Sequence, residues 1–235
     1  MTRSLSELFF IHRRKFLVRF VSVAVVLSIT DCYECRAAGA AAPADTISNE
    51  KLRAAAEPFE NLTEIAFSAT LTAIDQTIGE AESASREIRG LLPVDAVGRM
   101  DVLTSAMKTA RQKRDRAGLA LSSIEVYRVL VSAVTDNAKV PTEVSLLDYS
   151  GFRYDADLKA NPIRWDDMAQ AVSFAHENWN KLLPRTKSFA VAKEFEKAIT
   201  DMNNAVIDKN GSLAASSVKV ELDLVDQLEK FFSTD

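Results

Sequence analysis

The sequence predicts an all-α protein, an up-and-down antiparallel bundle with a four-helix-type core, extra helices and no sheet. Three observations support this fold class. The chain is rich in Ala, Leu, Glu and Lys, with only seven glycines and six prolines in 235 residues. Between these helix-breaking residues, apolar side chains recur at helical spacing, and no segment alternates convincingly at period two. Long helices with short connections favour antiparallel neighbours.

The apolar spacing predicts six helices after residue 44. Residues 47–57 are read as a helical turn or an arm before the first helix. The fourth helix is expected to begin at Asn161-Pro162, with Asn as N-cap and Pro at the first helical position. The predicted ranges, in chain order, are 59–89, 94–137, a helix after Pro141 with Thr142 and Glu143 in its first turn, a helix from 161–162, 186–208 and 212–232.

The N-terminus has the order of features found in export signals. Basic residues precede an uncharged, mostly apolar run from Phe20 to Thr30, and small residues follow over 37–44. Eleven residues suit a signal peptide and fall short of the roughly 20 that cross a bilayer as a helix. We therefore expect a signal peptide over 1–44, cleavage between Ala40 and Asp45, and a single mature domain over 45–235. An uncleaved membrane anchor is the alternative.

The basic part of this leader contains Arg13-Arg14-Lys15-Phe16-Leu17, which resembles the twin-arginine export motif. The resemblance covers this pentapeptide only, and His12 stands where the motif usually has Ser or Thr. It implies export of a folded chain, whereas an ordinary basic segment implies the general secretory route. Cys32 and Cys35, the only cysteines, also lie in this leader, so the mature chain is expected to have neither a disulfide nor a thiolate metal site.

The charge of the mature chain bears on its partners. The first 44 residues hold six basic and three acidic side chains, which leaves 23 basic and 30 acidic, a net charge of −7. Nucleic-acid binding is therefore not expected, because phosphate neutralisation by Lys and Arg supplies most of that affinity. The same charge disfavours anionic lipid surfaces, and no stable membrane span is expected after cleavage.

Aromatic residues are concentrated between positions 145 and 180, which hold six of the thirteen aromatics after residue 44, including both tryptophans. Aromatic rings with a polar tip favour pockets and interfaces, and an arginine among them supplies a donor for an anionic group. The competing interpretation is that the same rings form the core beneath short helices. The candidate ligand- or partner-binding residues are Tyr149, Phe152, Arg153, Tyr154, Trp165 and Trp179.

Two cofactor hypotheses arise from the remaining polar residues. Carboxylates near one another suit a divalent cation, although acids in a first helical turn are also explained by the helix dipole. The candidate metal residues are Asp155, Asp157, Asp166, Asp167 and His176. A haem b would pair His176, the one histidine after residue 44, with a methionine, although methionine at helical spacing is typical core filler. The candidate methionines are Met100, Met107, Met168 and Met202.

These observations predict a bacterial protein that is periplasmic or secreted. The mature chain lacks a glycine-rich phosphate loop, a G-x-S-x-G motif and an H-E-x-x-H motif, so no catalytic residue is assigned. The expected function is a non-enzymatic binding or accessory role, exerted through a protein partner or a small ligand. No cofactor is predicted in that case. The alternative is a metal- or haem-loaded bundle with an electron-transfer or metal-handling role.

Overall fold

The computed structural model describes residues 44–135, 139–186, 190 and 192–234, and eight α-helices lie in these ranges. The leader before Ala44, with its two cysteines and its twin-arginine pentapeptide, lies outside them. The helices are α1 (Ala44–Ile65), α2 (Leu71–Ile88), α3 (Val94–Lys113), α4 (Arg116–Val131), α5 (Thr142–Leu158), α6 (Trp165–Leu182), α7 (Ala192–Ile207) and α8 (Gly211–Thr234). The described ranges contain no strand, which confirms the all-α prediction.

The first four helices form one antiparallel ring. Helix α1 packs against α2 and α4, and α3 packs against α4. Two hydrogen bonds show that α1 and α4 are antiparallel. Near the start of α1, Asn49 Nδ2 donates to Thr135 Oγ1, after the end of α4, at 3.0 Å. Near the end of α1, Thr63 Oγ1 donates to the carbonyl of Ala120, near the start of α4, at 3.3 Å. The ring closes through two ion pairs between α2 and α3, Arg111–Asp75 at 2.6 Å and Lys108–Glu82, and through a third from Arg89, directly after α2, to Asp101 of α3 at 2.6 Å.

The last four helices form a second antiparallel ring. Helix α5 packs against α6 and α8, α6 packs against α7, and α7 packs against α8. Trp179 of α6 stacks on Phe195 of α7, with ring centroids 4.5 Å apart. Contact between α4 and α5 joins the two rings, and their buried side chains form one continuous apolar core. The predicted four-helix-type core with extra helices is thus built as two adjoining four-helix rings.

Two predicted helices are wrong because each is divided in the structure. The predicted helix 59–89 is split at residues 66–70, where Thr70 Oγ1 accepts a hydrogen bond from the amide of Ala73 and caps α2. Arg116 holds the turn after α1 by donating to the backbone carbonyls of Ala66 and Ala69 at 2.6 and 2.9 Å. Residues 47–57 belong to α1, which continues through Pro58 because its buried apolar stripe runs on to Leu62.

The predicted helix 94–137 is split at Arg114 and Asp115. Arg114 adopts a left-handed conformation with φ 59°, which ends α3. The Asp115 carboxylate then accepts a hydrogen bond from the amide of Gly118 at 2.8 Å and caps α4. The apolar stripe continues across this break, since Ala110 and Leu119 are both buried, and this continuity made one long helix the natural prediction.

The start predicted for the fourth helix is also wrong. Helix α6 begins at Trp165, and Asn161-Pro162 is a cis peptide in the preceding loop. The backbone carbonyl of Asp157 accepts from the amides of Ala160 and Arg164 at 3.4 and 3.2 Å, so the loop folds back on the end of α5. The predicted start of α5 after Pro141 is confirmed, and α7 and α8 lie within a few residues of their predicted ranges apart from a later start of α7. No helix in the described ranges combines the length and the apolar character needed to cross a membrane.

Candidate functional site

Arg153, on the outward side of α5, lies at the centre of a group of charged side chains from three helices. Its Nη1 donates to Tyr149 Oη at 2.8 Å and to Glu125 Oε1 of α4 at 3.1 Å. Its guanidinium also lies 3.8 Å from Asp157 Oδ2 and 3.8 Å from Asp167 Oδ1 of α6. The group is called the Arg153 cluster and consists of Glu125, Arg128, Tyr149, Arg153, Asp157, Arg164 and Asp167.

The α4 side of the cluster is held by Glu125 and Arg128. Glu125 Oε1 accepts from Tyr149 Oη at 2.6 Å, and Glu125 Oε2 lies 2.7 Å from Arg128 Nη2. The Arg128 guanidinium lies over the ring of Tyr149, 5.2 Å from its centroid, which adds a cation–π contact. Burial and then the negative charge of Glu125 raise the pKa of Tyr149 to about 12, so this hydroxyl keeps its proton and donates a hydrogen bond to Glu125.

The α6 side of the cluster is held by Asp157 and Arg164. The Asp157 side chain is fully buried, and neither of its carboxylate oxygens has a hydrogen-bond partner. Arg164 Nη1 lies 3.4 Å from Asp157 Oδ1, and Arg164 Nη2 lies 2.8 Å from Asp167 Oδ2. Burial raises the pKa of Asp157 to about 6, and the positive charge of Arg164 opposes that rise. Two arginines and two aspartates thus alternate where α5, its following loop and α6 meet.

The structure brings Tyr149 to this cluster, and it buries all of the predicted aromatic residues, Tyr149 included, except Trp165. The ring of Tyr149 contacts Phe174 of α6 edge to face at 5.3 Å. Tyr154 is fully buried and donates to the carbonyl of Met202 at 3.0 Å. Phe152 and Trp179 are buried as well, whereas Trp165 is partly buried at the start of α6. Their burial favours the core interpretation for Phe152, Tyr154 and Trp179, and binding by this aromatic set remains a prediction.

A shallow, open depression lies on α6, where Phe174 also contacts the Arg153 cluster. Its volume is about 350 Å³, and its lining residues are Ala169, Gln170, Ser173, Phe174 and Glu177. Phe174 is partly buried, and it both contacts the ring of Tyr149 and lines the depression. This depression is called the α6 depression. It provides an open contact area beside the Arg153 cluster.

The candidate metal residues lie in different surroundings. Asp155 forms an ion pair with Lys159 at 2.5 Å, and Asp166 and His176 are exposed. Asp157 and Asp167 share Arg153 and Arg164 as ion-pair partners. Across the part of the chain that the structure describes, no three His, Cys, Asp or Glu side chains converge in a way that suits a metal ion. Metal binding by these residues stays a prediction.

The candidate haem ligands are also placed differently from one another. His176 is exposed on α6, whereas all four methionines are buried in the core. A haem ligated by His176 and one of them would therefore need one side chain to change its surroundings. The haem hypothesis stays a prediction, to be decided by spectroscopy.

Sequence reasoning missed Glu125, Arg128 and Arg164 as members of the site. Glu125 and Arg128 are the charged residues of α4 after Arg116, and their spacing of three places them on one side of the helix. That isolated charged pair was the available signal. Arg164 was visible as an arginine among the aromatic residues of 145–180, but its pairing with Asp157 and Asp167 depends on how the loop after α5 folds back. Comparison with family models, with curated proteins and with solved structures gave no match for this chain.

Proposed function

We propose that the mature chain is an exported binding protein that receives a protein partner on the face formed by α4, α5 and α6. The leader supports export, because its basic, apolar and small-residue segments follow the order of a signal peptide. The periplasm or the exterior of a bacterial cell is the proposed location. The helices supply a rigid scaffold, and the side chains on this one face supply the contacts.

The observation that carries this proposal is the convergence of three helices on Arg153. Its guanidinium is fixed by Tyr149 and Glu125, while its side chain remains 22% exposed. An arginine held in place in this way loses little conformational entropy when a partner binds, and arginine is enriched among residues that dominate binding energies, whereas Tyr149 is buried and serves to hold the arginine. The adjacent α6 depression is open, so it suits a protein surface better than an enclosed small molecule.

Site-specific photo-crosslinking tests the proposed face. A photoreactive amino acid replaces Gln170, which lines the α6 depression, and in a matched control it replaces Val102, which is 70% exposed on α3. Irradiation of cells that produce the protein is expected to yield a defined adduct from position 170 and none from position 102. Equal adducts from both positions, or none from position 170, would contradict the proposal.

Export is tested separately, by cell fractionation and N-terminal sequencing of the mature protein. The expected N-terminus lies between Ala41 and Asp45, because the small residues over 37–44 suit cleavage there. A protein that starts at Met1 after fractionation would contradict export with cleavage.

The alternative function, a metal- or haem-loaded bundle, makes a different forecast for the same purified protein. Its absorption spectrum would contain a haem band, or elemental analysis would find a stoichiometric metal. The proposed binding function predicts neither signal in protein isolated from its native compartment. Either signal at a stoichiometry near one would favour the cofactor-loaded alternative.

A further inference from the structure

A second buried polar group lies away from the Arg153 cluster, where α5 packs against α8. The side chain of Glu221 is fully buried, and both of its carboxylate oxygens lack a hydrogen-bond partner. Its neighbours along the buried side of α8 are the apolar Val218, Leu222 and Val225 and the buried Ser217, whose hydroxyl donates to the carbonyl of Leu213 at 2.8 Å. A buried acid in such surroundings is far more stable with its proton than without it.

The contact between the two helices is tight at this point. A methyl group added at Gly151 of α5 would collide with Oε2 of Glu221 and would lie 2.7 Å from Cδ2 of Leu222. Glycine is therefore required for α8 to approach α5 so closely. The carboxyl group of Glu221 is held directly against the α5 backbone, with no space for an added carbon atom.

Ionisable groups on the neighbouring helices have hydrogen-bond partners of their own. From α5, Asp148 is fully buried one turn before Gly151, and Tyr127 of α4 donates to Asp148 Oδ2 at 3.4 Å. Arg53 of α1 donates to Ser145 Oγ at 3.2 Å and to the carbonyl of Val140 at 2.8 Å, at the start of α5.

The charged groups of α7 lie at the protein surface beside α8. Lys197 and Asp201 pair with each other at 2.5 Å and, with Glu194, line a surface groove next to Ser217 and Val220. Asp148 is the neighbouring carboxyl group that, after burial, raises the pKa of Glu221, since two carboxylates repel each other when both are ionised.

We propose that Glu221 is a proton-controlled latch between α5 and α8. The protonated carboxyl group allows the α7–α8 hairpin to pack on α5, and loss of this proton loosens α8 from the second ring. The latch lies where α5 packs against α8, whereas the proposed binding face uses the contacts of α5 with α4 and α6, so either proposal can be wrong without the other. It makes the closed form of this ring sensitive to the pH of the compartment that holds the protein.

The direction of the pH dependence follows from whether the closed or the open form keeps the Glu221 proton to higher pH. Burial first, and then the charge of Asp148, raise the pKa of Glu221 well above its ordinary value. Below the ordinary glutamate pKa both the closed and the open form are protonated, and the closed form has its full stability. As the pH rises from there towards the raised pKa of Glu221 in the closed form, the open form loses its proton first. The closed form therefore loses stability relative to the open form. One proton released on opening increases the opening equilibrium constant by up to about tenfold per pH unit.

Hydrogen exchange of backbone amides measures this opening. Exchange in α8 is followed between pH 5 and 9 in the full mature chain, corrected for the intrinsic rate at each pH, with α4 amides as an internal reference. The variant Glu221→Gln keeps the shape of the side chain and removes its ionisation. The matched control is Glu196→Gln, an exposed position on α7.

The latch predicts that α8 opening rises with pH in the wild-type chain and in Glu196→Gln, and that it becomes independent of pH in Glu221→Gln. A pH dependence that is the same in the wild type and in Glu221→Gln would overturn the proposal. If Glu221→Gln does not fold, the wild type still decides, because the proposal fails unless α8 opening rises with pH more steeply than α4 opening. The variant Asp148→Asn is expected to move the plateau of this rise to lower pH, since it removes the neighbouring negative charge.

Discussion

Trp179 and Trp165 lie in the same helix but have different surroundings. Trp179 is buried between α6 and α7, where its indole ring lies nearly parallel to the ring of Phe195, with an interplanar angle of 20°. Trp165 is partly buried at the first position of α6. The first side chain therefore contributes mainly to packing, and the second is available both for packing and for contact with a partner.

This difference gives a prediction for stability. Replacement of Trp179 by Ala is expected to lower the free energy of unfolding by roughly 3–5 kcal/mol, because it removes a large buried side chain and leaves a cavity. Trp165→Ala should cost clearly less, since part of that side chain is already in water. Urea denaturation of both variants measures the two costs. Equal costs would show that both tryptophans are core residues.

Gly151 offers a second test at the level of single residues. Gly151→Ala is expected to lower the free energy of unfolding by roughly 1–3 kcal/mol, because the new methyl group collides with Glu221. The same change in a Glu221→Ala background should cost less, and a double-mutant cycle gives the coupling between the two positions. Gly98→Ala in α3 is the matched control. No neighbour lies within 4 Å there, so Ala should raise stability by roughly 0.5–1 kcal/mol. Additive costs at positions 151 and 221 would contradict the close contact.

At the scale of helices, the all-α class was predictable because the apolar spacing is helical throughout. The breaks were not predictable from that spacing, because buried positions continue on both sides of them. At Arg114–Asp115 a local signal existed, since Asp115 is a favoured N-cap residue, but Arg114 is an uncommon residue in a left-handed conformation. For the site, the aromatic segment led to Tyr149 and Arg153. The partners on α4 were missed because they are brought to α5 by the packing of distant chain segments.

The α3–α4 turn gives a prediction at this scale. Arg114→Gly is expected to raise the free energy of unfolding by up to about 1 kcal/mol, because glycine adopts a φ of 59° without the steric cost that Arg has there. Lys113→Gly, one residue earlier in the last turn of α3, is the control and should lower stability by roughly the same amount. Thermal unfolding of the two variants measures both effects. A loss of stability in Arg114→Gly would show that the turn is not left-handed at this residue.

At the scale of the whole molecule, two antiparallel rings share one core, and the seam between them places α4, α5 and α6 side by side. The Arg153 cluster spans these three helices, so its geometry depends on the packing of both rings. Such a position makes the cluster a rigid part of the surface. A partner bound there would contact both halves of the mature chain.

The route of export is also a property of the whole chain. If Arg13 and Arg14 act as a twin-arginine signal, replacing both with Lys is expected to abolish export, because that pathway recognises the arginine pair itself. A general secretory signal should tolerate the change, since lysine keeps the positive charge. Fractionation of cells that produce the Lys-Lys variant separates the two routes, and unchanged export would rule out the twin-arginine route.

The most direct test of the proposed binding face compares two surface arginines in their affinity for the crosslinked partner. Arg128, in the Arg153 cluster, and Arg99, on α3, have side chains that are 41% and 64% exposed and that each pair with an acid on their own helix. Either replacement by Ala should change the free energy of unfolding by no more than about 1 kcal/mol, because exposed ion pairs contribute little. Titration of the purified partner is expected to show weaker binding for Arg128→Ala and unchanged binding for Arg99→Ala. Unchanged binding for both variants would contradict a binding face at α4, α5 and α6.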